Sequence, residues 1–282
     1  MKTYYFVFCK EDLLLEKTAD DAYTIPLQEE PPTEVKPWTH QMNITPMADG
    51  TPVVTYRIDE PITDNARYEM IGLRQSYYKL PRPLYLKAGK CQELLYWDQN
   101  TKYCGVCGAP TKWMTDISKK CPECGKEWWP SPSTAIIVRV CRMRPLDNLQ
   151  SDNCDKGNTI QSSNCQISEV LLVRARNFRS NHYGLVAGFL ETGESLEECV
   201  ERELREEVGI RIKNLKYFGS QPWPYPFGLM VGFTADYADG EIRLQKEELT
   251  EGGWFTRDNM PPIPDKASIA RRLIDDWLLA EP

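Results

Sequence analysis

The sequence predicts an α+β protein built from more than one domain. Its 282 residues are enough for two modest domains with separate hydrophobic cores. Apolar residues make up 41% of the chain and charged residues 27%, a balance typical of globular proteins and not of disordered ones. Segments rich in β-branched and aromatic residues predict strands, and a few segments have apolar residues at helical spacing.

A small α+β domain is predicted for residues 1–98. Strands are expected at MKTYYFVF (1–8) and PVVTYRI (52–58), because β-branched and aromatic residues favour pleated structure. A helix with one buried face is indicated by apolar residues at positions i, i+4, i+7 and i+11, which are Leu84, Ala88, Cys91 and Leu95.

A larger domain is predicted for residues 131–282. Its expected strands are TAIIVRV (134–140), EVLLVRAR (169–176), YGLVAGF (183–189), LKYFG (215–219), GLMVGFTADY (228–237) and EIRLQ (241–245). Helices are expected over 195–208 and about 266–280. The polar segment 146–167 is expected to form a long loop between two strands. Cys154 and Cys165 share this loop and could pair on oxidation, but a disulfide is disfavoured because cytosolic thiols are kept reduced.

Charge and hydropathy narrow the class of protein. Lys and Arg number 34 against 41 Asp and Glu, and this net charge of −7 argues against a dedicated duplex-binding protein. No apolar run approaches the roughly 20 residues that cross a bilayer. Charged residues interrupt the N-terminal segment too early for the apolar core of a signal peptide. We therefore expect a cytoplasmic protein.

Residues 99–130 contain two tight cysteine pairs, Cys104-x-x-Cys107 and Cys121-x-x-Cys124. Two such turns supply four thiolate ligands in a tetrahedron, which suits Zn²⁺. Because the protein fills every ligand position, the predicted zinc ribbon is structural and has no opening for substrate. A rubredoxin-like iron site with the same ligands is the minor alternative, and a redox role is less favoured because one pair would suffice.

An acidic helix is predicted after Ser195, which opens a capping box with Glu198. At about 100° per residue, Glu203 and Glu207 lie about 40° apart, and Glu206 lies about 60° to the other side of Glu203. Clustered carboxylates of this kind suit Mg²⁺ or Mn²⁺. The alternative is an acidic helix face that is simply solvated.

The same segment resembles the Nudix box, G-x5-E-x7-R-E-U-x-E-E-x-G-U, in which U is aliphatic. Each defined position is matched, by Gly188, Glu194, Arg202, Glu203, Leu204, Glu206, Glu207, Gly209 and Ile210. Nudix enzymes hydrolyse nucleoside diphosphates linked to another moiety and use Mg²⁺ or Mn²⁺. The resemblance implies an α/β/α sandwich with a mixed sheet, preceded here by the zinc ribbon and the small α+β domain.

The resemblance also implies roles for individual residues of the box. Glu203 and Glu207 correspond to metal ligands, and Glu206 corresponds to a ligand or to the group that activates water. The carbonyl of Ala187 and the carboxylate of Glu248 correspond to further metal ligands. The predicted catalytic set is Glu203, Glu206, Glu207, Arg202 and Glu194.

The combination of N-terminal domain, zinc ribbon and the segment SQPWPYPFG is similar to the NADH pyrophosphatase (NudC-type) subfamily. The implied substrate-binding residues are Gln221, Pro222, Trp223, Pro224, Tyr225, Pro226, Phe227, Gly228, Trp129, Ala270 and Arg74. The chain departs from the family pattern at three of them. Tyr225 replaces the usual Phe, Gly228 replaces a small polar residue, and Trp129 replaces a Tyr.

The resemblance implies hydrolysis of NADH or NAD⁺ to AMP and nicotinamide mononucleotide by a homodimer, and extends to removal of an NAD cap from RNA. Two alternatives stay open. One is a Nudix enzyme for another substrate, such as ADP-ribose or a dinucleoside polyphosphate. The other is a non-catalytic nucleic-acid-binding protein built on the ribbon and its lysines, which are Lys102, Lys112, Lys119, Lys120 and Lys126.

Overall fold

The computed structural model describes residues 1–145, 166–178 and 180–280. The predicted loop over 146–167, with Cys154 and Cys165, falls almost wholly outside the described residues. The chain divides into two compact units: the first is Met1–Pro132 with Pro222–Gly228, and the second is Ser133–Gln221 with Leu229–Pro282. Both units combine sheets with helices, so the predicted α+β class is confirmed. The three-domain division at residues 98 and 130 stays a prediction.

The first unit contains a seven-stranded sheet, a two-helix segment and a small three-stranded sheet. Its strands are β1 (Thr3–Cys9), β2 (Asp12–Lys17), β3 (Tyr23–Thr24), β4 (Leu27–Gln28), β5 (Met42–Ile44), β6 (Val53–Arg57) and β7 (Tyr68–Gly72). They are followed by α1 (Leu73–Ser76), α2 (Arg82–Asn100), β8 (Lys112–Thr115), β9 (Ser118–Lys120) and β10 (Glu127–Trp128). The order in the large sheet is β3-β2-β1-β6-β5, with β4 paired to β1 and β7 to β2.

Helix α2 covers one face of that sheet. Alternate residues of β1, such as Phe6 and Phe8, share a core with Leu84 and Ala88 of the helix. The intervening residues, such as Val7, belong to a separate cluster, as the two-residue period of a strand requires. The predicted strands at the N-terminus and over 52–58 are confirmed, and so is the predicted buried face of the helix.

The second unit is built on a six-stranded sheet with the order β14-β15-β11-β12-β16, in which β13 also pairs with β11. Its elements are β11 (Ser133–Pro145), β12 (Gln166–Ala175), β13 (Val186–Phe189), α3 (Leu196–Glu203), β14 (Ile210–Trp223), β15 (Gly228–Gly240), β16 (Leu249–Phe255) and α4 (Ile269–Leu279). Helix α3 continues into a π-helical turn over Leu204–Val208, and a short 3₁₀ turn spans Arg257–Asn259.

Helices α3 and α4 lie on opposite faces of this sheet. Ile136 and Val138 of β11 share a core with Val200 of α3. Ile137, which points to the other side of the same strand, shares a core with Leu273 of α4. The result is the α/β/α sandwich that the resemblance implies.

The strand predicted for EIRLQ (241–245) is wrong, because β15 ends at Gly240 and the next strand begins at Leu249. The backbone N–H of Arg243 donates to the carbonyl of Val208, and that of Gln245 donates to the carbonyl of Glu207, each at 2.8 Å. These N–H groups therefore satisfy the end of the helical segment and do not join a sheet. Strand β16 was not predicted. No helix in the described ranges has the length and apolar character needed to span a bilayer.

Candidate catalytic and metal centres

The orientation of helix α3 is fixed at its start, along its buried stripe and after its end. The Ser195 hydroxyl accepts the backbone N–H of Glu198, and the Glu198 carboxylate accepts that of Ser195, so the predicted capping box is confirmed. Val200 is fully buried and directs one side of the helix to the sheet. The π-helical turn ends at Gly209, whose φ of 76° suits a residue without a side chain.

The three glutamates of this helical segment do not share one environment. Glu203 and Glu207 keep only 8% and 5% of their surface exposed, whereas the side chain of Glu206 is 52% exposed. A purely solvated acidic face is therefore wrong for the first two residues. The side chains of Glu203 and Glu207 are therefore buried, and that of Glu206 lies at the protein surface.

Strand β13 makes room for the Glu203 carboxylate. A Cβ atom placed on Gly188 would lie 1.9 Å from Oε1 of Glu203, so a side chain at this position and the present carboxylate position exclude each other. Ala187 precedes Gly188 and pairs with Ile137 of β11. The predicted carbonyl ligand thus lies next to the residue that the carboxylate contacts.

Neighbouring negative charges disfavour ionisation of Glu207. Burial raises the pKa of its carboxyl group, and the carboxylates of Glu203 and Glu248 raise it further. Burial also raises the pKa of Glu203, against the lowering effect of Arg202. Buried, mutually repelling oxygen donors are the chemistry that a divalent cation relieves, so these residues suit Mg²⁺ or Mn²⁺ by donor type. Their ligand atoms do not all lie within 4.8 Å of one another, so the structure does not bring the three carboxylates to the spacing that the four cysteines meet.

Arg202 connects the carboxylates of the box. Its guanidinium binds both oxygens of Glu194, with Nη2 donating to Oε2 at 3.1 Å. Nη1 donates to Glu203 at 2.9 Å and to Glu206 at 3.2 Å. These ion pairs raise the pKa of Arg202, so it remains a cation that fixes the orientation of the buried Glu203.

Phe189, which follows the glycine of the box, was not predicted as a site residue from the sequence. Its carbonyl accepts Nη2 of Arg202 at 3.0 Å and the Cys199 thiol at 3.4 Å. Its ring is 68% exposed, which is unusual for a large aromatic residue. The position inside the box pattern was visible in the sequence, but the pattern defines no residue type there.

The four cysteines of the first unit form a compact cluster. Their sulfur atoms all lie within 4.8 Å of one another, and among the described residues no group of three or more carboxylates, imidazoles or thiols besides this one meets that spacing. The Sγ atoms of Cys104 and Cys124 are 3.6 Å apart, and those of Cys107 and Cys121 are 3.4 Å apart. Zn–S bonds of about 2.3 Å give tetrahedral S–S separations of roughly 3.8 Å, so the cluster fits Zn²⁺.

The backbone of the ribbon also suits thiolate ligands. The N–H of Val106 points to the sulfur of Cys104, and that of Cys124 points to the sulfur of Cys121. Gly108 and Gly125 close the two turns with φ of 77° and 74°. The two predicted cysteine turns are present in the structure.

The ribbon lysines do not form one open basic surface. Lys119 is buried, binds Asp98 at 2.6 Å and lies over the rings of Trp97 and Trp113. Lys120 pairs with Glu127 at 3.1 Å. The alternative of a nucleic-acid-binding ribbon therefore loses the buried Lys119, and the exposed Lys120 lies beside a carboxylate that partly offsets its charge.

Arg74 contacts the aromatic residues of the turn Pro222–Gly228. Its guanidinium lies 5.1 Å from the ring centre of Trp223 and 4.8 Å from that of Tyr225. The two rings meet edge to face at 5.1 Å. The structure thus brings together three of the predicted substrate-binding residues, in the first unit and within one chain.

The other predicted substrate-binding residues lie in varied surroundings. Trp129 is 51% exposed in the first unit. In the second unit, Gln221 donates from Nε2 to the carbonyl of Ala267 at 2.7 Å, and its Oε1 is buried without a partner. Ala270 lies in the first turn of α4, which Ser268 caps. Both Gln221 and Ala270 therefore lie near the start of that helix.

Comparison with known proteins shows the family to which the chain is similar. Residues 162–277 match the NUDIX domain family, and residues 2–97 match the NADH pyrophosphatase-like rudimentary NUDIX domain. A "NAD-capped RNA hydrolase NudC" of Pseudomonas aeruginosa is 36% identical over 230 residues, which cover 81% of this chain and 74% of that protein. A protein of the same name from Stutzerimonas stutzeri is 37% identical over 232 residues, covering 82% and 75%.

The matches span most of this chain and most of each relative. One chain therefore combines an N-terminal NADH pyrophosphatase-like rudimentary NUDIX domain with a NUDIX domain. The buried glutamates lie in the NUDIX domain. The chain is an enzyme of the Nudix hydrolase family and belongs to its NADH pyrophosphatase (NudC-type) subfamily.

Proposed function

We propose that this enzyme hydrolyses the pyrophosphate bond of NADH and NAD⁺, releasing AMP and nicotinamide mononucleotide. The observation that carries the proposal is the burial of Glu203 and Glu207 beside Glu248, in a helix held by the Arg202 ion pairs. The name of the relatives, which refers to an NAD cap, supports the choice of dinucleotide.

Glu203, Glu207, Glu248 and the carbonyl of Ala187 are proposed to hold Mg²⁺ or Mn²⁺. When bound, such ions neutralise the charge of a diphosphate and lower the pKa of a coordinated water. The raised pKa of Glu207 supports this assignment, because a nearby cation would offset the repulsion that raises it.

The protein's own groups supply orientation and a proton acceptor. Arg202 fixes Glu203 through the bond at 2.9 Å and is itself fixed by Glu194. Glu206 has an exposed carboxylate on the same helical segment, and we assign it as a further ligand or as the acceptor of the proton from water. Most of the catalytic effect would then come from positioning and electrostatics.

We assign the aromatic residues of the turn Pro222–Gly228 to the flat base or nicotinamide ring. Trp223, Tyr225 and Phe227 offer π faces, and three prolines limit the entropy that binding would cost. We further assign Gln221, Trp129, Ala270 and Arg74 to substrate contacts. The stacking of Arg74 on two of these rings supports its inclusion.

A second candidate reaction is removal of an NAD cap from the 5′ end of RNA. The chemistry and the carboxylate centre would be the same, and the name of the relatives favours this reaction. Rates on NADH, NAD⁺ and NAD-capped RNA at matched concentrations would rank the substrates. ADP-ribose and a dinucleoside polyphosphate belong in the same assay as the remaining Nudix alternatives.

Product identification tests the proposed reaction. The enzyme is incubated with NADH and Mg²⁺ or Mn²⁺ in oxygen-18 water, and the products are analysed by mass spectrometry. We expect AMP and reduced nicotinamide mononucleotide, one of which carries the label and so identifies the attacked phosphorus. NADH that stays intact while ADP-ribose is cleaved would replace this proposal with the alternative.

Three further assignments are proposals of the same kind. We propose that the four cysteines bind a structural Zn²⁺, that the enzyme is a homodimer, and that it acts in the cytoplasm. Elemental analysis of the purified protein, light scattering during size-exclusion chromatography and cell fractionation test these in turn. One zinc per chain and twice the chain mass are the expected results.

A further inference from the structure

Helix α2 presents one face to the turn Pro222–Gly228. Tyr85, Gly89 and Glu93 follow one another at four-residue intervals, so their side chains lie on the same side of the helix. Tyr96 lies near this face, with its ring centre 6.0 Å from that of Phe227. This face lies in the same unit as the turn.

Each of the three residues meets a different part of the turn. The hydroxyl of Tyr85 is hydrogen-bonded to that of Tyr225 at 2.9 Å. A Cβ atom on Gly89 would lie 3.2 Å from Cγ of Pro224, so the helix and the turn are in close contact there.

The third contact fixes the end of the turn. The backbone N–H of Gly228 donates to Oε1 of Glu93 at 3.3 Å. Burial raises the pKa of the Glu93 carboxyl group to about 7. Ionising a buried carboxyl group costs free energy, and the hydrogen bond from the N–H of Gly228 offsets part of that cost for Glu93.

Two of these contacts involve positions where the chain departs from the subfamily pattern. Tyr225 stands where a Phe is usual, and its additional hydroxyl is the atom that binds Tyr85. Gly228 stands where a small polar side chain is usual, and its N–H binds Glu93. The contact with Tyr85 requires the hydroxyl of a tyrosine at position 225, whereas the contact with Glu93 is made by the backbone and does not depend on the residue type at position 228.

We propose that Glu93 and Tyr85 are positioning residues, which hold the turn so that Trp223 and Tyr225 keep the orientation needed to bind substrate. This inference rests on the proposed function, in which the turn binds the dinucleotide. Glu93 fixes the backbone at the end of the turn, and Tyr85 fixes the phenol in its middle. Neither residue takes part in the hydrolysis of the phosphoanhydride.

Steady-state kinetics with NADH test the positioning role. We expect Glu93→Ala to raise KM at least fivefold and to change kcat less than twofold, because the carboxylate centre is not altered. Glu93→Gln retains an oxygen acceptor for Gly228 and is expected to restore KM to within twofold of the wild type. Tyr85→Phe is expected to raise KM about twofold, and Gln99→Ala, exposed on the same helix, serves as the matched control.

Hydrogen–deuterium exchange supplies a readout that needs no substrate. Peptides containing Gly228 are expected to exchange faster in Glu93→Ala than in the wild type and in Glu93→Gln. An active wild type with unchanged KM in Glu93→Ala would overturn the positioning role, even if exchange is faster. A wild type that leaves NADH intact while Gly228 stays protected by Glu93 would instead contradict the proposed function.

Discussion

The carboxylate centre on α3 and the turn Pro222–Gly228 are built in different ways. Glu203 and Glu207 are brought together by one helical turn, and Arg202 beside them binds Glu194 only eight positions earlier in the chain. The turn is held by residues far away in sequence, since Tyr85 and Tyr225 are 140 positions apart. The carboxylate centre is therefore fixed by residues of its own segment, whereas the turn is fixed by contacts with helix α2, which is far from it in the sequence.

The largest expected effect tests the self-contained centre. Glu207→Gln removes a proposed metal-ligating carboxylate and should lower kcat for NADH by at least a hundredfold, while the melting temperature stays equal or rises because a charge at this buried position is unfavourable in the folded protein. Glu201→Gln, at an exposed position of the same helix, is the control and should change kcat less than twofold. Near-wild-type turnover of Glu207→Gln at saturating Mg²⁺ would contradict the assignment of Glu207 as a metal ligand.

A second prediction concerns the space that β13 leaves for Glu203. Gly188→Ala should lower kcat about tenfold to a hundredfold, because its Cβ would displace a carboxylate oxygen now 1.9 Å from that position. Gly253→Ala is the matched control, since a Cβ there meets no atom within 4 Å. Equal kinetics for the two variants would show that the observed position of Glu203 is not required.

The third prediction concerns the ribbon in the first unit. Cys121→Ser should remove the zinc and lower the melting temperature by about 10 °C, because a structural metal contributes folding free energy. Zinc content and the thermal transition are measured together, with Cys141→Ala as a control outside the cluster. A variant that loses zinc yet melts with the wild type would remove the structural role.

The fourth prediction uses the pH dependence of stability at the Glu93 contact. The folded-state pKa is about 7 against an ordinary value of 4.5, so the folded protein binds a proton more readily than the unfolded chain does. The contribution of Glu93 to the free energy of unfolding therefore falls as the pH rises from 4.5 to about 7, and it stays constant above pH 7. Glu93→Gln should gain about 1–2 kcal/mol relative to the wild type over this interval, after discounting for partial exposure.

Urea unfolding at pH 5, 6, 7 and 8 measures that gain. The difference between Glu93→Gln and the wild type should be small at pH 5 and should level off above pH 7. A difference that stays constant over the whole range would show that Glu93 keeps an ordinary pKa in the folded protein.

The smallest expected effect concerns the tyrosine pair. A double-mutant cycle of Tyr85→Phe and Tyr225→Phe should give a coupling energy of about 1 kcal/mol, as for a part-buried neutral hydrogen bond. Thermal or urea unfolding of the four proteins provides the values. Additive effects of the two changes would mean that the hydroxyl groups contribute nothing to each other.

The features that could be predicted from the sequence are those whose whole residue pattern lies within one helix or one turn. The capping box at Ser195, the buried stripe and the end at Gly209 follow from helical spacing and from residue types that suit each position. The cysteine turns follow for the same reason, because each pair is closed by a nearby glycine. In such cases the side chains that interact are neighbours in the sequence.

The rest depends on contacts that no local pattern encodes. Glu93 has no recognisable role in the sequence, because its partner is the backbone of Gly228, 135 positions away. The EIRLQ segment has strand-like composition, but the carbonyls of Val208 and Glu207 take its N–H groups. The uneven burial of Glu206 and Glu207 likewise depends on how α3 packs on its sheet, which helical spacing alone does not determine.

The most direct test of the central claim is to titrate the wild type and Glu207→Gln with Mn²⁺ and to measure the free ion by electron paramagnetic resonance. If the buried carboxylates gather a divalent cation, the wild type should bind Mn²⁺ at least tenfold more tightly than the variant. Equal binding by the two proteins would contradict the assignment of this cluster as the metal centre.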